Sequence, residues 1–219
     1  MLQNIIKLIE RYGNVFIDGA WGTLSLSFIV VFLGTILGAI IALMRMSKSK
    51  VIKQIASIYV EIIRGTPILL QLYLFYYVGA DLISNQLPDV FWVTLSLIIN
   101  SSAYVSEIFR SGIQAVDIGQ FEAAKSLGIN DRDMMVKIIF PQAIKNILPA
   151  LGNEFVTMIK ETSLASIFYI NSLMTSEAIV SSTTHMKIEA LIIVGVIYFI
   201  MTFSLSKLIQ RFERRLNNA

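Results

Sequence analysis

The sequence of 219 residues contains no cysteine, one histidine (His185) and only 15% charged residues. The lack of cysteine excludes a disulfide framework, a cysteine nucleophile, an iron–sulfur cluster and a thiolate metal site. One histidine excludes a histidine-rich metal site. An average soluble domain carries about 25% charged residues, so water is not the main solvent of this chain. The formal net charge of +3 is spread too evenly for nucleic-acid binding, which needs a concentrated basic patch. A G-x-x-x-x-G-K-[ST] phosphate loop is also missing, so ATP is not bound here by that device. What the chain has in abundance is hydrophobic residues, 55% of the total. A membrane-spanning helix takes about 20 apolar residues, so five spans would leave short loops and no room for a separate soluble domain.

Spans are expected at about 19–44, 54–79, 90–110, 143–170 and 188–208. Before them, residues 1–18 mix Lys7, Glu10 and Arg11 with leucine and isoleucine at helical spacing. That pattern predicts an amphipathic segment at the membrane surface and not a cleavable signal. Gly34 and Gly38 in the first span have the spacing of a small-residue packing pair, or are simply glycines in a helix. The fourth span is the least hydrophobic, and its Lys160 and Glu161 must face protein or water because lipid would make them costly. Arg45, Lys48, Lys50 and Lys53 follow the first span, Arg110, Lys125, Arg132, Lys137 and Lys145 the third, and Lys207, Arg211, Arg214 and Arg215 the fifth. The loop at 80–89 carries Asp81 and Asp89 but no base. Basic loops stay in the cytoplasm, so five spans put the N-terminus outside and the C-terminus inside.

The polar segment 111–144 is too regular for a slack loop. Phe121 to Leu127 is expected to form a short helix, with Gly128 as the left-handed stop favoured at a helix C-terminus. Asn130 and Asp133 have the spacing of a cap for the next helix. Such a helix–glycine–helix unit fits an amphipathic bracket against the membrane, or a docking surface for a cytoplasmic partner.

Glu122-Ala123-Ala124 followed by Gly128, then Pro141-Gln142-Ala143 and Leu148-Pro149, closely resembles the EAA loop of ATP-binding-cassette importer permeases. The polar-amino-acid branch of that family is resembled further by Arg64-Gly65-Thr66-Pro67, by Tyr104 with Glu107-Ile108-Phe109-Arg110-Ser111-Gly112-Ile113, by Gly119-Gln120 and by Lys160-Glu161-Thr162-Ser163-Leu164. These matches run in order over about residues 23–166. The resemblance implies an all-α integral membrane protein of the type I importer permease kind, with a permease domain at 19–212 and a cytoplasmic coupling segment at 111–144 within it. It implies alternating access, import as the direction, and residence in a prokaryotic plasma membrane. Its partners would be two cytoplasmic ATPase subunits that bind the ATP and magnesium, a second permease copy or homologue, and an extracytoplasmic substrate-binding protein. The chain itself would be no enzyme and carry no cofactor. The EAA helix would dock on the ATPase, with Ala123 and Ala124 small enough for close approach, Glu122 free to bind a basic group, and Gly128 allowing the sharp reversal.

Ionisable and polar residues inside spans are site candidates by default. Asn100, Tyr104 and Glu107 share one helical face at i, i+4 and i+7, as do Glu154, Met158 and Glu161, with Thr157 beside them. Two such stripes could enclose a small polar amino acid. Glu107 and Glu154 would meet its ammonium group, and Asn100 and Tyr104 its carboxylate. Two ionised glutamates exceed what a neutral amino acid needs and tilt the reading towards arginine, lysine or histidine. Glu107 could instead simply pair with Arg110. Glu61 and Arg64 form an expected intrahelical pair, and Pro67, beside Thr66, should kink the second span near its middle where it lines the pathway. A gradient-driven secondary transporter is the closest rival, but such folds are commonly built from internal repeats and none is visible. A membrane enzyme would need an acid–base, nucleophilic or metal constellation, which the sequence does not offer.

Overall fold

Apolar residues run from residue 2 to residue 44 without a proline to break the backbone ladder, and they form one helix, α1 (Leu2–Arg45). The computed structural model describes residues 1–79, 81 and 86–218, and every regular element among them is helical. Residues 80 and 82–85 of the expected external loop lie outside the described residues. Next come α2 (Lys50–Gly65) and α3 (Ile68–Tyr73), the latter continued by a π-helical stretch, Leu74–Gly79. They are followed by α4 (Asp89–Gln114), α5 (Ile118–Ser126), α6 (Asp131–Phe168), α7 (Leu173–Thr184) and α8 (Lys187–Asn218). The pitch of α6 changes along its length: π-helical at Met134–Ile139, α-helical at Phe140–Glu161 and 3-10 at Thr162–Phe168.

The separate surface segment expected at 1–18 is a packed part of α1. Leu8 and Phe16 are buried among Leu173 and Val180 of α7 and Ala190, Ile193 and Val194 of α8, and Asn4 Nδ2 donates to Glu189 Oε1 at 3.1 Å. The apolar stripe there finds protein partners. At about 1.5 Å per residue, the 44 residues of α1 reach about 66 Å, roughly twice the hydrocarbon thickness of a bilayer. Among the described residues α1, α6 and α8 are long and apolar enough to cross a membrane, and α2 with α3 makes a fourth if that pair, bent by 105°, is one span.

Although α4 falls outside that set, it packs against α1, α2, α3 and α6. Its middle carries Ser96, Asn100, Ser101, Ser102 and Ser106, all buried, so its low hydropathy reflects protein neighbours. Against it lie the two glycines of α1: a Cβ at Gly38 would stand 2.7 Å from the side chain of Val105, and one at Gly34 would stand 3.0 Å from Ser101 Oγ. The pair is therefore a contact surface. Overpacking a tight seam costs about 1–3 kcal/mol, so Gly38→Leu is expected to lower the thermal midpoint of the purified protein. Gly13→Ala on the same helix, where a Cβ meets nothing within 4 Å, is expected to leave it unchanged or slightly raised.

The helix α7 went unforeseen between the last two expected spans. Thr175, Ser176, Glu177 and a run of serine and threonine up to Thr184 hide it from hydropathy. Its start is marked by Ser172, whose side chain accepts from the backbone N–H of Thr175 at 3.2 Å.

Candidate functional site

Proline lacks an N–H and forces its predecessor out of the helical region, and α2 accordingly ends at Gly65 with Thr66 and Pro67 extended. The break strands carbonyls at the end of α2. Gln71, one turn into α3, reaches back to them: its Nε2 lies 2.7 Å from Ile63 O, 3.1 Å from Thr66 O and 2.8 Å from Thr66 Oγ1. Thr66 Oγ1 in turn donates to Ile62 O at 2.9 Å. Across the seam, buried Asn100 of α4 donates from Nδ2 to Gln71 Oε1 at 2.9 Å. Asn100 Oδ1 is left buried without a partner.

Two turns further along α4, Glu107 gathers three arginines from three helices. Arg45 of α1 donates from Nη1 to its Oε2 at 2.8 Å, Arg110 donates from Nε and Nη2 to its Oε1, and Arg64 of α2 stands 3.7 Å away. Arg110 also donates to Gln114 at 2.8 Å, and the guanidinium of Arg64 lies 5.4 Å from the ring centre of Tyr104. The expected Glu61–Arg64 pair is not formed. Arg64 turns instead to the more buried carboxylate of Glu107 and to the face of Tyr104, while Glu61 is exposed.

On α6, Glu154 is 8% exposed and accepts from Ser101 Oγ of α4 at 2.9 Å. Thr157 is half-buried, and one oxygen of Glu161 is buried without a partner. Met158, expected to touch substrate, is 1% exposed and sits among Leu26, Val30, Leu72, Val93, Leu97, Ala165 and Phe168. It is a packing residue, because its position on the helix meets α1, α3 and α4. Within the chain the expected ligands are engaged by different neighbours. Asn100 joins Gln71, Glu154 joins Ser101, Glu107 joins the arginines, and Tyr104 lies under Arg64.

Gln71, Ser101 and Arg45 were missed by sequence reasoning. A glutamine four residues after a proline is the one signal that could have found Gln71, since that spacing returns a side chain to the carbonyls a proline leaves unserved.

In the polar segment, α5 begins at Ile118, three residues before the expected start, because Asp117 accepts from Gly119 N at 2.6 Å and caps it. At its far end Gly128 has φ +71°, with Gly128 N donating to Lys125 O and Ile129 N to Ala124 O, both at 3.0 Å. Such paired bonds around a left-handed residue close a helix. Asn130 then accepts from Asp133 N at 2.9 Å and starts α6. Ala124 is buried among Val116, Met134, Ile139, Ala143 and Ile147 of its own chain, so it is small for internal packing and does not face outwards. Glu122, Ala123 and Gly128 are exposed, and Leu127 is 79% exposed.

Residues 34–218 match the family described as binding-protein-dependent transport system inner membrane component. A putative glutamine transport system permease protein of Rickettsia bellii is 38% identical over 99% of this chain and 99% of its own length. The arginine transport system permease protein of Bacillus subtilis is 36% identical over 92% of each. The crystal structure of an amino acid ABC transporter with histidines superposes with a TM-score of 0.91 at 49% identity, over 94% of this chain and 96% of that one. With the match running from α1 to α8, this chain belongs to the family of inner-membrane components of binding-protein-dependent transport systems, as a permease subunit.

Proposed function

We propose that this permease subunit forms the substrate pathway of an ATP-driven importer for polar amino acids. The observation that carries the substrate class is the likeness to an amino acid ABC transporter at 49% identity along nearly the whole chain, supported by relatives named for glutamine and arginine transport. Five spans follow if α4 counts despite its buried serines and the α2–α3 pair is one span. The basic residues at the ends of α1, α4 and α8 support an external N-terminus and a cytoplasmic C-terminus.

Alternating access would be driven by two ATPase subunits that hold the ATP and magnesium. The coupling helix is α5, whose exposed Glu122, Ala123 and Leu127 meet the ATPase, with Gly128 closing it. A second permease copy or homologue and an extracytoplasmic binding protein complete the assembly. Glu107 already has three arginine partners, so the preference for a cationic amino acid rests on Glu154 and Glu161. Asn100, through its unpartnered Oδ1, Tyr104 and Thr157 remain candidate contacts, and Thr66-Pro67 shapes the path.

The test is mild-detergent purification of the tagged subunit from native membranes, followed by reconstitution with its co-eluting proteins. An ATPase that copurifies, together with amino-acid uptake that requires ATP, is the expected result. Uptake that persists without ATP and collapses with the ion gradient would replace this reading with a secondary transporter.

A further inference from the structure

Away from the site candidates, an apolar groove of about 420 Å³ runs between three helices, walled by Leu43 and Met46 of α1, Phe109 and Ile113 of α4, and Val136 and Phe140 of α6. Leu43 and Val136 are exposed, so the groove opens along the side of the bundle. On α1 it extends from Ala39 to Met46, about 10 Å at the rise of a helix.

Its character changes at one end. Past Met46 the chain turns polar, and Lys48 Nζ lies 3.2 Å from Asp131 Oδ2 at the start of α6, joining two of the walls. Arg132 follows, exposed and without an acidic partner among the described residues, one helical turn before Met135 and Val136 of the groove. Lys137 pairs with Asp133 at 3.0 Å. Three bases therefore face two acids. The Lys48 side chain is 94% exposed and that of Lys137 is exposed too, and such surface pairs are weak, so both lysines can turn to another anion at little cost.

A matching occupant is apolar over the length of the groove and anionic at its basic end. A phospholipid of net negative charge has that order, an acyl chain joined to a phosphate that arginine and lysine hold, and basic pockets beside membrane helices bind such headgroups. We propose that the groove binds an anionic phospholipid of the surrounding bilayer, with its acyl chain along Leu43, Phe109 and Phe140 and its phosphate at Arg132, Lys48 and Lys137. The site rests on the family's membrane placement and is independent of the substrate and of ATP. It also reaches into the fold. Val136 of the π-helical stretch Met134–Ile139 lines the groove, while Met134 and Ile139 are buried with Ala124 of α5. A lipid held against Val136 thus braces the stretch on which α5 rests.

Because the chain has no native cysteine, Val136→Cys can carry a single fluorophore in the groove, and Ile36→Cys, at an exposed position of α1 outside it, serves as reference. The labelled permease, with its copurified proteins, is reconstituted in vesicles doped with brominated phosphatidylglycerol or brominated phosphatidylcholine, and quenching gives their relative binding. Val136 is expected to favour phosphatidylglycerol by about fivefold, less so as salt rises, and Ile36 to favour neither. Arg132→Gln with Lys137→Gln should abolish the preference, and Ala39→Phe, which fills the groove, should lower quenching by both lipids at Val136 alone.

Equal quenching by the two lipids at Val136, or a preference that survives removal of the charges, overturns the site. Quenching at Ile36 without quenching at Val136 would mean that protein and not lipid covers the groove. Should the label at Val136 itself fill the groove, Leu43→Cys on the opposite wall carries the same measurement. Absence of quenching at every position would overturn the membrane placement, and the lipid site with it.

Discussion

Glu107→Gln is expected to be the most destabilising single substitution at the end of the bundle where α1, α2 and α4 meet, by about 2–4 kcal/mol. Removing one side of a buried ion pair costs about 3–5 kcal/mol, and the lower figure here follows from partial exposure, since Glu107 is 21% exposed and Arg64 and Arg110 more than a third. The substitution leaves three guanidinium groups from α1, α2 and α4 facing one another without a countercharge. Thermal unfolding in detergent measures the loss, and added anion should recover part of it. The arginine variants should follow burial. Arg45→Gln, with the side chain 16% exposed and a 2.8 Å bond, is expected to cost more than Arg64→Gln. Equal stability of Glu107→Gln and wild type would mean that water, and not the arginines, holds this carboxylate.

This cluster also marks where sequence reading stops. Periodicity and hydropathy are local, so they located the apolar stretches and the polar segment, and the glycine at 128 stood out because a left-handed helix stop demands it. The same local reading paired Glu61 with Arg64 at i, i+3. The choice of partner was made by depth and by distant chain: Arg64 and Arg45 approach Glu107 from two other helices, and no spacing announces contacts at sequence separations of 43 and 62. Ala124 shows the converse. Its small size was visible, but whether it faced a partner protein or its own core depended on how α5 rolls against α6, and Met134, Ile139 and Ala143 decide that. α7 stayed hidden because a helix buried against protein needs no hydropathy. Asn100 and Tyr104 share a face as spacing requires, yet that face meets a helix break created by Pro67, thirty-three residues before Asn100.

Gly128→Val is expected to abolish uptake while leaving the subunit folded in the membrane. A Cβ at Gly128 would meet nothing within 4 Å, so no clash opposes the substitution. Its φ of +71° does oppose it: a side chain in the left-handed region costs about 1–2 kcal/mol, and most for a β-branched one. That cost is small beside the packing of α1, α4, α6 and α8, so the bundle should survive. It is comparable with the net worth, about 0.5–1.5 kcal/mol each, of the two backbone bonds, Gly128 N to Lys125 O and Ile129 N to Ala124 O, that hold the end of α5. With those bonds lost, Leu127 no longer stands where its exposed side chain points now, and the surface of α5 proposed to dock on the ATPase is no longer fixed. Unimpaired membrane insertion, reduced ATPase copurification and loss of ATP-dependent uptake are the expected readouts. Gly128→Asn separates backbone from size, because asparagine tolerates the left-handed region although it is larger than alanine. It is expected to retain much of the transport that Gly128→Val loses, whereas equal loss in both would mean that the surface at this corner, and not its backbone turn, is what the partner requires.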